Sequence, residues 1–139
     1  MKNRIFILSL IVLNACLTSC SSLLSPQFAE SQEVLEYVFD HTYVEMLEDW
    51  FGTALFHGDP NPAYNENSKS VNVTMLDWRI NVDIDGDDFI GYYIIYEVQY
   101  QYNTYYTLVD LVEWFDGSHY QKKIIAVERT ISDIYSYLY

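Results

Sequence analysis

Apolar positions follow three different rhythms along the 139 residues. Ile5 to Leu17 is an apolar run. From Ser31 to His57 the apolar residues recur at three- and four-residue steps: Val34, Leu35, Val38, Phe39, Met46, Leu47, Trp50, Phe51 and Leu55. That spacing predicts a helix with one buried stripe. Ser25 before Pro26, or Ser31 with Glu33 in the first turn, offers its start. Gly58 followed by Asp59-Pro60-Asn61-Pro62 ends it. An unbroken helix over residues 31–57 would be about 40 Å long, so a bend or break near Asp40–Thr42 is expected.

After a polar loop at residues 59–70 the rhythm becomes strict alternation. Four strands follow, punctuated by Asp85-Gly86-Asp87, Asn103-Thr104 and Asp116-Gly117. Even positions of the second strand, from Ile90 through Tyr92, Ile94, Tyr96, Val98 and Tyr100 to Tyr102, make one apolar face. Leu76, Trp78, Ile80, Val82 and Ile84 match it in the first strand. A three-residue loop at Asp85–Asp87 would set Val82 opposite Ile90 and Trp78 opposite Ile94. A tight turn at Asn103-Thr104 would set Val98 against Val109 and Tyr96 against Leu111. A two-residue turn at Asp116-Gly117 would set Val109 against Ile124, Asp110 against Lys123 and Trp114 against His119. Opposite charges then face each other across the ladder, which supports that register. Residues 131–139 read as a short final helix or a frayed strand.

The fold class expected is α+β: an N-terminal helical segment packed on a four-stranded antiparallel meander. In element order this resembles the cystatin-like and nuclear-transport-factor-2-like (NTF2-like) folds, an outline that carries little about function. The helix should cover the face bearing Tyr92, Tyr96 and Tyr100. The opposite face carries Val73, Met75, Tyr93, Ile95, Leu108, Val112, Trp114, Ile125 and Val127, edged by Asp77, Arg79, Asp110 and Lys123. A face bathed in water would be more polar, so part of the chain or a partner must cover it. Tyr93, Asp110, Val112, Trp114 and His119 are the candidate binding residues there.

The first 22 residues point to a location. Lys2 and Arg4 precede the run from Ile5, which closes on Leu17-Thr18-Ser19-Cys20. That order resembles the lipobox of bacterial lipoprotein precursors, whose peptidase cuts just before a cysteine that carries diacylglycerol. The run has the length of a secretory core and is too short to span a bilayer. The resemblance implies a signal peptide at 1–19, lipid on Cys20, a lipidated tether at 20–30 and one domain at 31–139. Ser21 resembles the outer-membrane sorting pattern of Gram-negative lipoproteins.

Charge and cysteine usage then narrow the classes. Of the seven basic residues two lie in the signal, so the net charge of −13 becomes −15 in the mature chain. That excludes a phosphate-binding basic stripe, and with it nucleic acid, and leaves anionic lipid no electrostatic grip. Cys16 leaves with the signal and Cys20 is consumed by lipid, so no disulfide and no cysteine metal site is expected. Stability must come from burying the fourteen Tyr, seven Phe and three Trp.

Chemical motifs are sparse. Asn81-Val-Asp83-Ile-Asp85-Gly86, with Asp87, matches the start of a calcium-binding EF-hand loop, but Tyr92 stands where the bidentate glutamate belongs. An acidic turn is the expectation. The histidines His41, His57 and His119 have no zinc spacing. No cofactor and no catalytic residue is expected. The functional expectation is a membrane-anchored envelope lipoprotein, a binding or adaptor module that meets an envelope protein or its own copy through one sheet face. The alternatives are an NTF2-like pocket protein that binds a small ligand between helix and sheet, with enzymatic activity left open, and an aromatic carbohydrate-binding module.

Overall fold

A computed structural model describes residues 25–51 and 71–139. Cys20 and its signal, residues 52–57 of the expected helix, the Gly58 stop and the 59–70 loop lie outside the described residues. The elements in chain order are α1 (Gln32–Phe51), β1 (Val71–Asp85), β2 (Phe89–Tyr100), β3 (Asn103–Trp114), β4 (Tyr120–Glu128) and α2 (Ile131–Ser136). The strands form one antiparallel sheet in the order β1-β2-β3-β4, so the class is α+β with a meander.

Ser31 starts α1: its hydroxyl accepts the Val34 amide at 3.4 Å, and its carbonyl accepts from Leu35 at 3.0 Å. The expected break at Asp40–Thr42 does not occur. Thr42 sits there on the buried stripe, donating to the Val38 carbonyl (2.7 Å) and sharing a hydrogen bond with the Thr107 hydroxyl (2.6 Å). Burial of Thr42 and its hydrogen bond across to the sheet hold this turn of the helix in place. Val34, Val38, Phe39, Tyr43, Met46 and Leu47 are buried, and they meet Tyr92, Ile94, Tyr96, Val98, Val109 and Leu111.

The registers agree with the sequence reading in part. Trp78 pairs with Ile94, Val109 with Ile124, and Asp110 with Lys123, as expected. Pairing between β2 and β3 is displaced by four residues, because the chain turns at Gln101-Tyr102, with Gln101 at φ +54, instead of Asn103-Thr104. Val98 therefore faces Tyr105 and Tyr96 faces Thr107. The displacement is even, so no side chain changes face.

Three irregularities do change faces. One between Met75 and Asp77 leaves Leu76 41 % exposed and brings Val73 and Met75 under the helix, not onto the opposite face. A second between Asn81 and Asp85 pairs Asp85 with Ile90, leaving Val82 78 % exposed and turning Ile84 to the second face. Gly91 makes this possible, since a Cβ there would lie 3.0 Å from both the Ile84 Cβ and carbonyl oxygen. The third, beside Leu108 and Val109, pairs Leu108 with Ala126 and returns Val127 to the helix side.

Residues 25–30, expected as tether, belong to the packed domain. Ala29 is buried, and its carbonyl accepts the Tyr96 hydroxyl at 2.6 Å. The Glu113 carboxylate, itself buried, accepts the amides of Gln27 (2.9 Å) and Phe28 (2.6 Å).

Candidate binding face

The second face of the sheet divides into a covered half and an open half. Ile131–Ser136 forms a helix because Thr130 caps it, its side chain accepting the Asp133 amide at 3.3 Å. This places Ile134 on Ile95 and Leu108, with Tyr93, Tyr106, Ala126, Tyr135 and Leu138 around them. Tyr135 donates to Asp77 at 2.7 Å, and the Arg79 guanidinium lies over the rings of Tyr93 (5.3 Å) and Tyr139 (5.5 Å). Only about 50 Å³ remains open beside Arg79 and Tyr93. The C-terminal residues are thus the cover expected for this part of the face.

Beyond that helix the face opens into a hollow of about 480 Å³ lined by Ile84, Phe89, Asp110, Val112, Trp114, Gln121, Lys122 and Lys123. Trp114 is half-buried by its neighbours: the Phe89 ring stands 5.6 Å away and the His119 imidazole stacks on it at 3.8 Å. The Trp114 amide donates to the His119 carbonyl at 3.2 Å, which holds the two rings in register. At φ +68, Gly117 adopts the left-handed conformation of the turn between them. Four of the five candidate residues, Asp110, Val112, Trp114 and His119, therefore come together. Tyr93 pairs with Asp110 across the ladder, but its ring belongs to the α2 cluster and marks the border between the halves.

Asp110 supplies the charge in the hollow. Burial raises its carboxyl above the usual aspartate range, while the Asn81 amide and the Lys123 ammonium pull the other way. Its Oδ1 is buried with no hydrogen-bond partner among the described residues. Lys122 is directed elsewhere: it reaches Glu33 at 3.2 Å and lies over the Tyr37 and Tyr120 rings. The hollow is thus an aromatic and aliphatic floor with one strained carboxylate and one cation at its side. It can take an apolar side chain together with a hydrogen-bond donor.

The acidic turn takes no such shape. The Asn81 side-chain oxygen accepts the Asp83 amide at 3.2 Å, which spends a would-be ligand of the Asp83, Asp85, Asp87 set on the bulge. Among the described residues no three His, Cys, Asp or Glu side chains gather in a way that could hold a metal ion. His41 is exposed, its ring tilted against Tyr37 with centroids 4.2 Å apart. Tyr92 and Tyr96 are buried in the core, so they form no exposed row for stacking sugars, and Phe39, Met46 and Ile94 are fully buried in the same core.

Two apolar members of the site, Phe89 and Ile84, and one buried carboxylate of the core side, Glu113, escaped the sequence reading. Phe89 shares the parity of Tyr93 and was legible from alternation. Ile84 required the bulge. Glu113 lies on the core parity of Val109 and Leu111, where a carboxylate signals a buried partner.

No protein-family model matches the chain, and neither curated proteins nor solved structures give a match. Among the described residues no helix is long and apolar enough to cross a membrane.

Proposed function

We propose that the protein is a lipid-anchored envelope lipoprotein whose domain is a non-enzymatic binding or adaptor module. Cys20 carries the lipid, and the open half of the second sheet face carries the contact. The observation behind this reading is the hollow at Trp114, where Ile84, Phe89 and Val112 form an apolar floor that neither helix covers. Apolar floors of this kind, with an aromatic anchor at the centre, are where partner energy concentrates. An envelope protein or a second copy of the chain, offering an apolar side chain and a donor for Asp110, fits it.

Replacing Cys20 with Ser should move the protein from the membrane fraction to an unprocessed or soluble form. Persistence of a processed, membrane-bound mutant would refute the anchor. A photo-crosslinker at Val112 should capture one defined envelope component in cells, and Trp114→Ala should abolish that adduct. An adduct pattern spread over many proteins and indifferent to Trp114→Ala would refute the contact.

A further inference from the structure

We infer that the end of the sheet built from the β1–β2 and β3–β4 turns rests on the lipid surface, so that the Trp114 hollow opens at headgroup height. This deepens the anchored-module reading and rests on it. The first support is where the chain leaves the domain. Glu113 holds the Gln27 and Phe28 amides, the Phe28 ring packs 4.6 Å from Tyr120, and Gln27 Oε1 lies 3.5 Å from where a Gly117 Cβ would stand. The segment leading back to Cys20 therefore departs beside the β3–β4 turn. Five residue steps separate Ser25 from Cys20, a reach of at most about 18 Å. The Gln101-Tyr102 turn stands at the far end of β2, twelve residues or about 40 Å away.

The second support is that the two near turns form one edge, joined by the Phe115 amide donating to the Asp88 carbonyl at 2.9 Å. That edge carries the third support. Phe115 is 54 % exposed there, next to the half-buried Phe89 and Trp114, and Val82, 78 % exposed, lies in β1 shortly before the β1–β2 turn. Apolar and aromatic side chains presented together at a tip gain by entering the interfacial layer of a bilayer, where aromatic rings concentrate. A short tether holds them at high local concentration beside that layer, so a weak contact is enough. The exposed carboxylates Asp83, Asp87, Asp88 and Asp116 fringe the same edge and are repelled by anionic headgroups. The matching surface is zwitterionic lipid.

The test uses the mature lipoprotein purified from membranes and reconstituted into nanodiscs. Its Cys20 thiol is blocked by lipid, so a single introduced cysteine takes a fluorophore cleanly. Ser118→Cys places the probe at the near edge and Tyr102→Cys at the far end. With phosphatidylcholine discs carrying a nitroxide lipid, the Ser118 probe should be quenched several-fold more than the Tyr102 probe. Discs rich in anionic lipid, or the added exposed substitution Phe115→Asp, should erase most of that difference. Equal, water-like quenching of both probes in every lipid would overturn the docking. So would shielding of the Ser118 probe in native membranes alone, which would assign the edge to a protein partner. Mass spectrometry of the Cys20 peptide reports the anchor separately: an unmodified cysteine overturns both readings, whereas a lipidated protein with a water-exposed edge overturns only the docking.

Discussion

The two faces of this sheet have similar apolar alternation and opposite fates. One lies under α1, twenty residues long, and is dry along the whole stripe from Val34 to Leu47. The other receives α2, six residues long, and is dry only where Ile134 meets Ile95 and Leu108. A helix adds about 1.5 Å per residue, so α2 spans roughly 9 Å of strands about four times that length. The remainder is the Trp114 hollow. Alternation in a strand thus states that a face is destined for burial. The length of α2 states how much of that burial the described residues complete.

Mutations on the two faces should separate them, and the largest effect belongs to the covered one. Phe39→Ala should cost about 3–5 kcal/mol of unfolding free energy in chemical denaturation, the range for emptying a full aromatic site. A loss below about 1 kcal/mol would mean that α1 is not the cover described. Ile134→Ala should cost about 2–3 kcal/mol, near the low end for a buried aliphatic residue, because so short a helix can shift to fill the space. It should also bare Ile95 and Leu108, read as increased binding of an apolar dye. Trp114→Ala should cost only about 1 kcal/mol of stability while weakening partner binding by 2 kcal/mol or more, roughly 30-fold. A larger melting loss with unchanged binding would place Trp114 in the core and erase the distinction between the halves.

The smallest effect tests the charge in the hollow. Burial raises the Asp110 carboxyl above its ordinary 3.8. A raised folded value means that the native state holds this proton more tightly than the unfolded chain. The stabilisation linked to it is full at pH below the unfolded value and is lost as pH rises through the folded one. At neutral pH Asp110 is therefore a mild burden. Asp110→Asn should raise the melting temperature slightly at pH 7 and leave it unchanged near pH 3. An equal or opposite change at both values would remove the desolvated carboxylate from the account of the hollow. Bound partner with a donor for Oδ1 should lower the Asp110 value again, which ties the titration to occupancy.

How much of this was legible follows from which interactions are local. The helical stripe, the four alternating segments and the Asp110–Lys123 pairing could be read from the chain, because period and turn chemistry act over a few residues. The β3–β4 register was legible too, although the loop spans residues 115–118 and not two residues, with Gly117 at φ +68. The β2–β3 hairpin was misplaced because Asn103-Thr104 has turn-like residues, yet Gln101 takes the positive φ. An Asn103–Tyr100 pair closing the ladder outweighs one unfavourable backbone angle.

The three irregularities at Leu76, at Val82–Ile84 and at Ile125 had no such signature. They answer to the twist of the assembled sheet and to which side chains fit beneath α1. Thr42 likewise looked like a place for the helix to yield until Thr107 arrived from β3 to bind it. By itself the sequence determined the class of fold, the two apolar faces and the residues capable of forming a site, since each depends on short-range periodicity. Only the tertiary structure decided that Val73 and Val127 turn inward and Ile84 outward, that Tyr93 goes under α2, and that the described residues leave Trp114 half-buried. Those outcomes depend on bulges and on the reach of a six-residue helix, quantities set by contacts between segments far apart in the chain.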